Sequence, residues 1–254
     1  MRIRLLAGAG LAAAALVLTA VPATAGPEPA PHPAPHGPQR PYEPDVPGPV
    51  NYEGGDATVT RDGGSRLGVE ISFDTHRYTD TGEKPAAPRE FVFLFDRSIR
   101  FNTWAFPTCA RSTIEAGGIE ACPAGSRVGS GRAVMYGGGT AEVAVFNTKY
   151  RNGMRGVLIT IPATGAILEN TLERVTGDYR RDYRWGLHEI IQPDGTPPTE
   201  RGSTSEFDIT FGATRHGRSF VVSTERPGRE LSIGVWSHYV TGQVTLHEGR
   251  TPRP

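Results

Sequence analysis

The sequence predicts an all-β protein, an antiparallel β-sandwich of jelly-roll or immunoglobulin type, and three observations carry that reading. Apolar residues recur at every second position in short stretches, as at Leu67, Val69, Ile71 and Phe73; this period turns one face of a strand to a core. Glycine and proline, 32 and 22 of 254 residues, fall in nearly every gap between the stretches, where they make turns. Helix–strand alternation is missing, which argues against a parallel-sheet enzyme fold.

Residues 1–25 read as a signal peptide. Arg2 and Arg4 precede an apolar run from Leu5 to Val21, and Ala23-Thr24-Ala25 supplies the small residues of a cleavage site before Gly26. Ile3 separates the two arginines, so the general secretory route is expected. Residues 26–49 hold ten prolines and read as a disordered, extended arm. His32 and His36 lie in it as His-Pro-Ala-Pro-His. Two imidazoles on a spacer fall short of the three or four ligands a stable site needs, and no metal or cofactor is expected.

A single β domain is expected over residues 50–249. Its strands are placed at 66–74, 90–96 (apolar on both faces through Phe91 to Phe95), 132–136, 141–147, 156–161, 206–212, 219–224 and 231–240. The last pairs with 243–247 around Thr241-Gly242. The one helix expected spans Ser112–Ala116, with Ser112 and Glu115 as a capping box. Residues 250–254 read as a short tail without a hydrophobic anchor, so release from the cell is expected.

Cys109 and Cys122 are the two cysteines of the chain. In an oxidising compartment they are expected to pair, closing a loop around the short helix. Two thiols cannot build a four-thiolate zinc site. Acidic and basic residues balance at 27 each, which removes the electrostatic footprint of a nucleic-acid binder.

The segment Phe106-Pro107-Thr108-Cys109, then Glu115-Ala116-Gly117-Gly118, then Ala121-Cys122-Pro123-Ala124-Gly125-Ser126-Arg127-Val128-Gly129-Ser130-Gly131 resembles a block in an uncharacterised family of secreted proteins of high-GC Gram-positive bacteria. There, too, it precedes a strand ending in Val-Phe-Asn, here Val145-Phe146-Asn147. The resemblance covers about forty residues. It implies export, the disulfide and an all-β fold, and carries over no catalytic residue. A second cysteine that relatives often carry before a proline is here Arg226, so a second bridge is missing.

Four enzyme signatures fail at named residues. Glu206-Phe207-Asp208-Ile209-Thr210-Phe211 resembles the Glu-x-Asp-x-x-Glu of jelly-roll glucanases, but Phe211 stands where the acid/base belongs. His188-Glu189-Ile190-Ile191-Gln192 lacks the second histidine of a zinc protease. Gly-Ser pairs at 125 and 129 have the wrong offsets for a nucleophile elbow, and Gly137-Gly138-Gly139 lacks the lysine of a phosphate loop. The candidate binding residues are Tyr179, Arg181, Tyr183 and Trp185, which a strand over 178–185 would line up on one side. Flat rings and guanidinium groups in that order can stack on sugars or hold anionic polymers; the competing reading is an edge strand with its rings packed on the domain. The expected function is therefore that of a secreted, extracellular, non-catalytic protein binding an envelope glycan or another secreted protein, with no nucleic acid and no stable membrane insertion. The alternative is a polysaccharide-active hydrolase or lyase with carboxylates from separate strands.

Overall fold

The computed structural model describes residues 31–193 and 195–254; the expected signal peptide and residues 26–30 lie outside them. The first strands are β1 (Tyr52–Arg61), β2 (Val69–Tyr78), β3 (Pro88–Asp96) and β4 (Ile99–Phe101), followed by helix α1 (Arg111–Gly117). Next come β5 (Arg127–Met135), β6 (Thr140–Lys149), β7 (Arg155–Ile161), β8 (Ala166–Arg174) and β9 (Tyr183–Ile190). The chain ends with β10 (Thr204–Phe211), β11 (Thr214–Arg215), β12 (Arg218–Ser219), β13 (Val221–Ser223), β14 (Glu230–Tyr239) and β15 (Val244–Pro252). The all-β antiparallel class is therefore as the alternation predicts. Leu67 falls before β2 and is exposed rather than in the core.

Eleven strands form one antiparallel sheet in the order β1-β2-β10-β5-β6-β7-β8-β9-β3-β14-β15. Its two edges meet through side chains: His247 Nε2 lies 2.8 Å from the Gly55 carbonyl oxygen, and Thr245 Oγ1 donates to Glu53 Oε2 at 2.8 Å. The sheet is thus rolled over, and its two halves face each other as the layers of a sandwich. Phe73 of β2 meets Phe93 and Phe95 of β3 edge to face, with ring centroids 5.0 and 5.6 Å apart. Inward positions alternate along each strand and build the main core, where Val69, Ile71 and Phe73 on β2 cluster with Ile209 and Phe211 of the neighbouring β10 and with Ile233 and Val235 of β14. Gly129 and Gly131 let β5 close tightly on β10; a Cβ at Gly131 would fall 2.0 Å from the Asp208 carbonyl oxygen.

β3 is apolar outside as well as inside, because something covers its outer face. The cover is the proline-rich segment. Ala34 is fully buried with Val92, Leu94, Val175, Tyr183 and Trp236 in a second core. The expectation of a free arm is thereby corrected from Pro31 onward. Thr176 N–H donates to Pro33 O at 2.9 Å, Val46 N–H to Val240 O at 3.0 Å, and Arg40 Nε to Ile191 O at 3.1 Å. At the other terminus the expected tail is also part of the domain: β15 runs to Pro252, and Arg253 exchanges backbone hydrogen bonds with Gly228 and Arg229.

The disulfide joins Cys109 and Cys122 and closes the loop that holds α1. Ile114 packs with both Phe146 and Leu158 on the outer face of β6 and β7. Asn147 fastens this unit by donating through Nδ2 to the carbonyls of Thr103, Phe106 and Pro107 at 3.0, 3.0 and 3.1 Å. The expected capping box is not formed. The Cys109 N–H is tied to Asn147 O, so the helix begins early with Ala110 at its N-cap, and Glu115 pairs with Arg111 at 2.7 Å instead. No helix among the described residues is long and apolar enough to cross a membrane.

Candidate functional site

Rolling the sheet leaves a cavity of about 350 Å³ at one end of the interior. The alternation of each strand decides its lining. β2 continues its inward phase from Phe73 to Thr75 and Arg77; β3 contributes Phe91 and Phe93, β10 Phe207 and β9 Glu189. Met135, Leu168, Ile191 and Val235 complete an apolar wall, and exposed Thr164 and Gly202 stand at its rim. The size falls in the range of small-molecule pockets, and mouths of rolled sheets are where such pockets occur.

Two ionisable side chains reach this interior by different means. Arg77 is compensated: its Nε donates to Glu53 Oε1 at 3.1 Å, its Nη1 to Thr204 Oγ1 at 2.9 Å, and its guanidinium lies 4.4 Å from the Phe91 ring centroid. Glu53 in turn accepts from Ser237 and Thr245, both at 2.8 Å. Among the described residues Glu189 has only the Asn170 amide, 3.1 Å from Oε2, as a hydrogen-bond partner. Burial pushes its carboxyl up to about 7, against the opposing pull of Asn170 and Arg77. Burial thus favours the protonated, hydrogen-bond-donating form of a carboxyl that lines a largely apolar space.

The four residues predicted as a binding face are not brought together on one strand. Tyr179 and Arg181 lie in a 3-10 turn, Gly177–Arg181, that precedes β9. Tyr183 is buried in the second core with its hydroxyl donating to Glu248 Oε1 at 2.7 Å. Trp185 is half-buried against the main core, under the Arg174 guanidinium at 4.2 Å. A bulge opposite Phe95 and Asp96 separates the two rings, so residues two apart fall on opposite faces of the sheet. What the segment does build is a basic depression of about 400 Å³, lined by Arg97, Arg174, Arg180 and Arg184 with Val175 and Tyr183. None of these four arginines is in an ion pair among the described residues. Desolvation first, then the Arg184 charge, lowers the pKa of Arg174.

Glu206 and Asp208 lie on the outer face of β10, bound to Arg132 at 3.3 and 2.9 Å. Asp208 is the register partner of Asp74, whose carboxyl is raised by partial burial and by Asp208 itself. Phe211 points inward and is fully buried. Comparison of the chain with known protein families, with curated proteins and with solved structures finds no match.

Sequence reasoning passed over Arg77 and met Glu189 only within the failed zinc-protease pattern. The signal was their phase: each charged residue falls on the inward period of its strand, Arg77 four residues beyond Phe73 and Glu189 two beyond Leu187.

Proposed function

We propose that this is an exported, non-catalytic binding protein that carries a small, largely apolar molecule in the interior cavity. The observation that carries the reading is the buried Glu189 carboxyl in a wall of Phe91, Phe93, Phe207 and Val235. Burying an acid that makes one hydrogen bond costs several kcal/mol relative to an apolar residue, and a shifted carboxyl in a pocket is a mark of a working site. The ligand class follows: a compact apolar body with one hydrogen-bond acceptor, such as a ketone or ester, that takes the Glu189 proton. Ala23-Thr24-Ala25 and the disulfide support export.

Titration with the naphthyl ketone probe prodan tests this. One probe per protein is expected, with blue-shifted emission. Affinity falls roughly tenfold from pH 6 to pH 8 as Glu189 ionises, and Glu189→Gln removes that pH dependence. Ala166→Phe, which places a ring in the cavity, abolishes binding. Unsaturable binding, or binding untouched by Ala166→Phe, overturns the proposal.

A second reading rests on the unpaired arginines. The basin of Arg97, Arg174, Arg180 and Arg184 suits a carboxylate- or phosphate-bearing envelope glycan, in line with the partner class expected from residues 179–185.

A further inference from the structure

Directly behind Glu189 on β9, His188 points to the opposite face of the sheet, under the proline-rich segment. It is 2% exposed. Its Nδ1 lies 3.1 Å from Glu173 Oε1, which also accepts from Thr171 Oγ1 at 2.7 Å. An ionised carboxylate accepts, so the ring carries its proton on Nδ1. Nε2 is then a bare lone pair, and among the described residues it is buried without a hydrogen-bond partner. Such orphaned acceptors are rare in folded proteins and call for an explanation.

The groups around it supply one. His32, from the arm, packs edge-on against the His188 ring with centroids 4.7 Å apart. Its Nε2 is 3.3 Å from Glu90 Oε2 of β3. One donor atom from each of His32, Glu90 and His188 lies within 4.8 Å of the others. His238 of β14, the register partner of Glu90, brings Nδ1 to 3.9 Å from the same carboxylate oxygen. Two ligands each about 2.0–2.1 Å from a tetrahedral ion sit about 3.3 Å apart, the spacing of the His32–Glu90 pair.

We infer that His32, Glu90 and His188 bind a divalent transition-metal ion of the zinc class, with His238 beside the fourth position. Imidazole and carboxylate donors in this number suit zinc and cobalt rather than magnesium or calcium, which take oxygen alone. Glu173 is a positioning residue. It holds the His188 tautomer and orients the ring, as a carboxylate behind a ligating histidine commonly does. A groove of about 430 Å³, lined in part by Pro38, Arg111 and Tyr150, reaches His188. Without the ion His32 Nδ1 accepts from the Ala34 N–H at 3.0 Å, so its proton sits on Nε2 facing Glu90. Loading moves that proton to Nδ1 and releases the Ala34 N–H; the ion then ties the arm to β3 and β9. This site shares no ligand with the cavity, and its fate is independent of the proposal above.

Metal-stripped mature protein titrated with Co²⁺ tests the inference. Visible d–d absorption of four-coordinate cobalt is expected at one ion per chain, displaced by Zn²⁺, with the Ala34 amide resonance shifting on loading. His32→Ala and Glu90→Gln each weaken binding by more than the roughly 10–100-fold expected for Glu173→Gln, while His36→Ala leaves it unchanged. Absence of a saturable band in the unsubstituted protein overturns the inference, whatever the variants do. A band that survives both His32→Ala and Glu90→Gln also overturns it, because the ion then sits elsewhere.

Discussion

Replacing Glu43 with glutamine unfastens the arm at its most heavily charged point. Glu43 accepts from Arg201 Nη1 at 2.8 Å and from Arg40 Nη2 at 2.9 Å, and lies 3.5 Å from Arg89 Nε. The hydrogen bond from Arg201, followed after an opposing burial cost by that from Arg40, lowers its carboxyl from 4.5 to about 2. At about 1.4 kcal/mol per unit that shift corresponds to about 3 kcal/mol. The carboxylate is 14% exposed, and solvent on that flank reduces the figure to about 2–3 kcal/mol. The folded-state pKa is depressed, so this stabilisation is complete above the unfolded value near 4.5 and is lost as pH falls towards 2. Glu43→Gln is therefore expected to lower stability by about 2–3 kcal/mol at pH 7, or about 4–12 °C in Tm for a domain of this size. Urea unfolding of both proteins from pH 7 down to pH 2 is the assay. The difference between them should be flat above about pH 5 and shrink below it, where the protonated carboxyl and the substituted amide are nearly isosteric. A difference under about 0.5 kcal/mol, or one that ignores pH, refutes the anchoring role and returns the arm to a solvated spacer.

Removing the disulfide by the double change Cys109→Ser and Cys122→Ser should cost about 3 kcal/mol on the chain-entropy account, with new protease cuts between Arg111 and Ala121; an unchanged urea midpoint counts against it. Trp185→Ala, at a ring half-buried under Arg174, should cost about 2–4 kcal/mol of stability. Arg174→Ala with Arg184→Ala should instead weaken retention on an immobilised polyuronate at low salt while leaving Tm within a few degrees, and equal retention would discard the anionic-glycan reading of the basin.

Much of the fold was legible because strand burial has period two. The inward residues of β2, β3, β10 and β14 follow it closely, and the run Phe91 to Phe95 showed that β3 is covered on both sides. The nature of the cover was not legible. A proline-rich segment is poor in N–H donors, which makes it read as solvated, but its carbonyls remain acceptors. Pro31, Pro33 and Pro44 use theirs to accept from Tyr179, Thr176 and Arg89, and arginine-rich surroundings supply the complementary donors. The stripe from Tyr179 to Trp185 was misplaced for a different reason. A 3-10 turn and a single bulged residue shift the phase, and neither leaves a mark in an alternation that continues on both sides. The basin of arginines shares this limit, since Arg97 comes from the turn after β3 and no local pattern joins it to Arg174 or Arg184.

The adjacent pair His188-Glu189 shows why the interior is more than a filled sandwich. A central strand buries both faces, so neighbouring residues enter two separate environments. A scaffold selected only for stability would place apolar residues at both, as it does at Leu187 and Ile190 on the same strand. Instead each face carries an ionisable group whose hydrogen-bonding capacity is left partly unused: the Glu189 carboxyl inside and His188 Nε2 outside. Each costs folding free energy as it stands. Breaks of local rules of this kind are expected at functional or strained positions, which is the ground for the two proposals. A one-residue slip of β9 would exchange the two groups between the faces of the sheet, so both proposed sites depend on the register fixed by β3 and β8.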